Sequence, residues 1–206
     1  MEDNKNEATK KNTKALVVVD AQIDFTTGKL GSDPAGKVLA DIMTYFRDMK
    51  EHPENYVKFD HIVATRDQHS RQEYLEKKTI ESQVVPEHCI HGSVGCGIPD
   101  EILNMATDIV TKDTFMANED SLTHGVSGEW YCPEGGADEI YICGFCTDIC
   151  VISNALLLRK LFPNSVIRVV KDFCCGLTPA THEAALATMN SCLIETVDSS
   201  FLKVRA

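Results

Sequence analysis

Three cysteines fall at Cys143, Cys146 and Cys150, in the stretch Ile140-Tyr141-Ile142-Cys143-Gly144-Phe145-Cys146-Thr147-Asp148-Ile149-Cys150-Val151. An apolar run suited to a buried strand breaks at Gly144. A helical pattern then follows from Thr147 to about Lys160, with apolar residues at Ile149, Ile152, Leu156 and Leu157. Thr147 is the expected N-cap, its hydroxyl accepting from the Cys150 amide. That places Cys150 in the first helical turn, where free N–H groups and the helix dipole favour a thiolate nucleophile. Two other readings stay open for the trio. Cys-x-x-Cys is also a zinc spacing, although Cys143 lies inside the strand run and the chain has no second such pair. Buried thiols with no chemistry are equally ordinary.

Other reactive side chains stand where apolar runs end. Asp20 follows Ala15-Leu16-Val17-Val18-Val19, and Lys112 follows Asp108-Ile109-Val110-Thr111. Alone, Asp20 reads as a turn residue and Lys112 as a solvated lysine. Beside Cys150 they become a proton acceptor and a cation that stabilises developing negative charge. Asp67-Gln68-His69 puts two metal-capable side chains on one side of an extended segment. Glu81 and His88 complete an N/O set that suits Zn, Mn or Fe. His91 and His124 rank lower as ligands. His52, His61 and His182 have no placement beyond packing or surface. Phe25 and Phe115 are candidate pocket walls.

These residues need elements to hold them. Strands are expected at 15–19, 60–65, 108–111, 140–143, 165–170 and 191–196, and helices at 34–51, 99–105, 147–160 and 179–190. Residues 70–98 and 113–136 read as long irregular segments, the latter a suspected lid. Alternating strands and helices imply one three-layer α/β/α domain over 15–206, with a doubly wound, mostly parallel six-stranded sheet. Ligands in such sheets sit outside the strand carboxyl ends, where Asp20, Asp67, His69, Lys112 and Cys150 all fall.

Composition narrows the partners. The 206 residues are 43% hydrophobic and 25% charged, as in ordinary globular proteins. A net charge of −11 argues against nucleic acid and anionic membrane. No apolar run approaches the ~18 residues that span a bilayer. The polar stretch 1–14 reads as a disordered leader without a signal-peptide core. Nine cysteines without an export signal are expected to be reduced, in a cytoplasmic protein.

Together the motifs resemble the isochorismatase-like cysteine hydrolases, and within them the nicotinamidase/pyrazinamidase group. The matching pieces are Val18-Val19-Asp20-Ala21-Gln22-Ile23-Asp24-Phe25, Thr65-Arg66-Asp67-Gln68-His69, Pro86-Glu87-His88-Cys89 with Gly92, Lys112, and Gly144-Phe145-Cys146-Thr147-Asp148-Ile149-Cys150-Val151. The resemblance implies a triad of Asp20, Lys112 and Cys150, and a cis Phe145–Cys146 peptide aiming the Cys146 and Cys150 amides into an oxyanion hole. It implies a divalent metal on Asp67, His69 and His88, with Glu81 at a fourth position. The substrate wall would comprise Phe25, Val85, Phe115 and Phe145. It further implies a small-molecule amide substrate, a place in NAD salvage and a homo-oligomer. Nicotinamidases usually carry Trp or Phe just before Pro-x-His-Cys, where this chain has Val85, and Gly95-Cys96-Gly97-Ile98 also departs from their pattern. Two rivals accompany this expectation: a hydrolase of another small amide or N-carbamoyl compound, and a thiol redox or binding protein.

Overall fold

The computed structural model describes residues 12–124 and 137–204. Among them, six strands form one sheet: β1 (Lys14–Val19), β2 (His61–Asp67), β3 (Asp108–Lys112), β4 (Glu139–Phe145), β5 (Val166–Cys175) and β6 (Glu195–Val197). The order is β3-β2-β1-β4-β5-β6 and every neighbouring pair is parallel. The helices are α1 (Ile23–Thr26), α2 (Asp33–Glu51), α3 (Arg71–Glu76), α4 (Ile80–Val84), α5 (Asp100–Leu103), α6 (Glu119–His124), α7 (Ile152–Leu161) and α8 (Pro179–Ser191). They cover both faces of the sheet, so the central strands are apolar on both sides. Ala15 to Val19 are all buried.

Helix α2 shows how local sequence and packing agree. The Ser32 hydroxyl accepts from the Ala35 amide, and Pro34 stands in the first turn. Ala35, Leu39, Ile42, Phe46 and Met49 then recur every three or four residues and are buried. Each larger member contributes about 1.5–3 kcal/mol of transfer free energy on burial.

Strand order reverses between β1 and β4, which opens a crevice at their carboxyl ends. Gly144 makes that crevice possible. Its φ is +123°, and a Cβ there would stand 1.9 Å from the Val19 carbonyl oxygen.

Several sequence expectations shift. Residues 70–98 are not wholly irregular, since α3 and α4 lie there, capped by the Ser70 and Thr79 hydroxyls. The segment from 113 contains α6, and 125–136 lie outside the described residues, as do 1–11 of the expected leader. Lys14 already belongs to β1. Strand β5 runs to Cys175 instead of Val170, because its main chain continues to pair with Gly144 and Phe145. The expected strand at 191–196 is displaced to Glu195–Val197, since α8 runs through Ser191 and Leu193 turns the chain at φ +62°.

Candidate active site

The ends of β1, β3 and β4 bring Asp20, Lys112 and Cys150 together. Asp20 directly follows β1 with φ +46°, a left-handed conformation that aspartate tolerates better than most residues. Thr65 on β2 fixes it: its hydroxyl donates to Asp20 Oδ1 at 2.6 Å and accepts from the Asp20 amide at 3.1 Å. Lys112 Nζ stands 2.7 Å from Asp20 Oδ2 and 3.7 Å from Cys150 Sγ. All three side chains are buried.

Burial sets the proton inventory. It pushes the Asp20 carboxyl up, with the Asp67 charge adding to the rise and Lys112 opposing it. It pushes the Cys150 thiol well up, with Asp20 in the same direction and Lys112 opposed. Burial therefore acts against the standing thiolate expected at the helix terminus, and it raises the neighbouring Asp20 carboxyl as well. Burial alone would lower Lys112, but Asp20, Cys150 and Asp67 together raise it, so the ammonium persists.

Cys150 sits in a wide π turn, Thr147–Val151, that leads into α7. The Cys146 carbonyl accepts from the Ile149 and Val151 amides. The Phe145–Cys146 peptide is cis, matching the expectation. Thr147 is not the N-cap. Cys146 occupies that position, and the Thr147 hydroxyl instead pairs with His182 Nδ1 at 2.8 Å.

The second group is Asp67, His69, Glu81 and His88, whose ligand atoms all lie within 4.8 Å of one another. His69 Nε2 and His88 Nε2 approach Asp67 Oδ2 at 2.9 and 3.3 Å. They lie 3.9 and 3.6 Å from Glu81 Oε1. Each Nδ1 is engaged from behind, His69 with Glu73 Oε2 at 3.3 Å and His88 with the Pro86 carbonyl and the Tyr74 hydroxyl at 2.9 and 2.8 Å. Outer partners of this kind orient imidazoles toward a metal.

Charge makes the same point. Burial opposes protonation of His69, yet the surrounding carboxylates push it up to about 9. An environment so negative suits a divalent cation. Burial would raise Asp67, but His69, His88 and Lys112 hold it well below the usual carboxylate range. The residues present therefore fit a metal. His91 is exposed and its side chain is not among the clustered ligands, and the His124 side chain lies outside the described residues.

Both groups open on one cavity of about 250 Å³. Asp67, Glu81, His88, Cys146 and Cys150 line it, with Phe25, Val85 and Phe115 among its apolar walls. Phe145 does not line it. As the last residue of β4 its ring is fully buried in the core, which corrects its expected place on the substrate wall.

Several supporting residues escaped sequence reasoning. The Gln22 amide donates to the Asp67 carbonyl and accepts from the Asp67 N–H, at 2.8 and 2.7 Å. Asp24 Oδ2 accepts from the Cys89 amide at 2.8 Å, anchoring the chain next to His88. Asn154 joins the Cys150 carbonyl to the Phe115–Ala117 loop. Ser70-x-x-Glu73 is a capping pattern that could have revealed α3 and with it Glu73. Gln22 and Asn154 left no comparable signal.

A doubly wound α/β fold with a buried cysteine, carboxylate and ammonium gathered at the carboxyl ends of its strands defines a class, the cysteine hydrolases. Within it, the chain belongs to the isochorismatase domain family, whose model matches residues 14–200. The nicotinamidase/pyrazinamidase of Mycobacterium tuberculosis is 27% identical over 194 residues, covering 91% of this chain and 100% of that protein. A crystal structure of the Pyrococcus horikoshii pyrazinamidase in complex with zinc is 28% identical, with a TM-score of 0.67 over 90% of this chain and 98% of that one. PnC1 from L. infantum, crystallised with nicotinate, shares the fold at 20% identity and a TM-score of 0.71, over 92% and 94% of the two chains.

Proposed function

We propose that this protein is a nicotinamidase, converting nicotinamide and water to nicotinate and ammonia through a thioester on Cys150. One observation carries the reading: Cys150 and three members of the metal-capable cluster, Asp67, Glu81 and His88, line the same small cavity. The nicotinamidase names of its relatives point the same way.

Asp20 accepts the Cys150 proton as sulfur attacks the carboxamide carbon. Lys112, 3.7 Å from the sulfur, balances the negative charge that passes between Asp20 and Cys150. The Cys146 and Cys150 amides take the oxyanion. Asp20 then gives its proton to the departing ammonia. In the second half it accepts a proton from the water that cleaves the thioester, and Cys150 regains its thiol. Phe25, Val85 and Phe115 enclose the ring and exclude bulk water. A divalent metal held by Asp67, His69, Glu81 and His88 would supply a Lewis-acid site that orients the pyridine nitrogen. Zn, Mn and Fe all suit this donor set. The same reading carries a homo-oligomeric, cytoplasmic enzyme of NAD salvage.

Val85 favours a second reading, a metal-dependent hydrolase of another small amide, because an aliphatic wall stacks poorly on a pyridine ring. The test is ammonia release from nicotinamide, with and without a chelator. Chelator-sensitive turnover supports the nicotinamidase. Absence of turnover by metal-loaded protein, with release from other small amides, moves the assignment to the second reading.

A further inference from the structure

The π turn that carries Cys150 has no side-chain cap of its own. Two of its side chains instead reach across to the beginning of α8. Thr147, fully buried, pairs its hydroxyl with His182 Nδ1 at 2.8 Å. The next residue, Asp148, accepts from the Leu177 amide at both carboxylate oxygens, at 3.2 and 3.1 Å. Leu177 lines the active-site cavity, whereas His182 does not.

The far end of this brace is itself rigid. Thr178 and Thr181 form a reciprocal capping box, and Pro179 opens the helix. The His182 amide donates to the Thr178 carbonyl at 2.9 Å. Gly176 crosses His182 so closely that a Cβ would stand 3.0 Å from the His182 Cβ. The backbone and Cβ of His182 are thus held by their own helix and by the strand exit that passes them. A ring carried on that fixed backbone and bonded to the residue after Cys146 restrains the main chain between Cys146 and Cys150.

We propose that His182, acting through Thr147, is a positioning residue that sets the geometry of the Cys146–Cys150 turn. The proposal rests on the assignment of Cys150 as the nucleophile of an amidohydrolase. His182 touches neither substrate nor sulfur in this scheme. It fixes the register of the thiol and of the two amides that receive the oxyanion. Displacements of about 1 Å in such an arrangement cost on the order of a hundredfold in rate, which is a loss in kcat more than in substrate binding.

The experiment compares wild type, Cys150→Ala, His182→Ala, His182→Asn, Thr147→Val and the His182→Ala/Thr147→Val pair. Its readouts are kcat and KM for nicotinamide, metal content, thermal unfolding, and the rate of Cys150 alkylation by iodoacetamide, which needs no amide substrate. His182→Ala is expected to lower kcat about 10- to 100-fold with KM within about twofold, metal content unchanged and alkylation altered. Asn carries its amide on the same Cγ that bears Nδ1, so His182→Asn should recover most of the loss. Thr147→Val should match His182→Ala, and the double variant should be no worse than either, as for residues acting through one bond. Wild-type turnover that vanishes in Cys150→Ala while His182→Ala keeps kcat within twofold would overturn the brace alone. Additive losses, or losses tracking thermal destabilisation and not rescued by Asn, would also overturn it. Full turnover in Cys150→Ala would remove the nucleophile assignment, and the brace with it.

Discussion

The Lys112 ammonium lies 3.2 Å from Asp67 Oδ1, while the other oxygen of that carboxylate faces the imidazoles of His69 and His88. Asp67 therefore belongs to both halves of the site. Through it Lys112 is bonded to the metal-capable cluster as well as to Asp20 and Cys150. One buried ammonium thus faces the carboxylates of both Asp20 and Asp67.

Lys112→Met should consequently destabilise the fold by about 3–5 kcal/mol, because it strands the buried Asp20 carboxylate without a counter-charge. Adding Asp20→Asn to it should return part of that loss. Urea midpoints of the two variants check this, and equal midpoints for Lys112→Met and wild type would contradict it.

Cys150→Ala should abolish ammonia release and leave metal content at the wild-type level, since Cys150 is not among the clustered ligands. Metal analysis and turnover on one preparation decide the matter. Substantial residual activity would remove the thioester route.

Tyr74→Phe deletes the hydroxyl that stands 2.8 Å from His88 Nδ1 but keeps the Pro86 carbonyl. Metal affinity, measured by competition with a chelator, should fall about tenfold. An unchanged affinity would mean that Pro86 alone orients the ring.

Val85→Phe should lower the KM for nicotinamide about fivefold, the equivalent of roughly 1 kcal/mol of ring stacking. Steady-state kinetics report it directly. A raised KM would place the ring away from this wall.

Glu139 on β4 joins β1 through Lys14 and β5 through Arg168. Burial tends to raise its carboxyl, but hydrogen bonds from Lys14, Asn12, Arg168 and Tyr141 prevail and draw it down from 4.5 to about 2. The unfolded chain therefore binds the proton more readily. The stability so gained is complete above pH 4.5 and fades as pH falls toward 2. Across that window Glu139→Gln should lose less urea stability than wild type.

Much of this was legible from residue order. The ends of β1, β2 and β3 stood out because β-branched apolar runs stop at Asp20, Asp67 and Lys112, and strand ends are where such sheets bind ligands. The four metal-capable residues were legible as types, although only the fold shows both Nε2 atoms facing Asp67 Oδ2. Other features left no periodic trace. Strand β5 looks finished at Lys171-Asp172, yet beyond those exposed residues, where the register shifts, the main chain resumes the ladder at Cys174 and Cys175. Helices α3 and α4 span six and five residues, too few for a repeat to register. Thr147 and His182 are 35 residues apart, and no spacing rule links a buried threonine to a ring on a later helix.

The pairing of Lys14 with Glu139 joins segments more than a hundred positions apart, and it lies at the centre of the sheet. The crevice between β1 and β4 cannot exist until the later half of the chain has been made and added beside the first. A nascent or truncated chain ending before β4 would carry Asp20 and Lys112 but not Cys150, whose sulfur lies beside Lys112. Assembly dominated by such distant contacts is slow compared with that of helical bundles. Restored turnover after dilution from denaturant is thus a more demanding sign of correct topology than regained helix content.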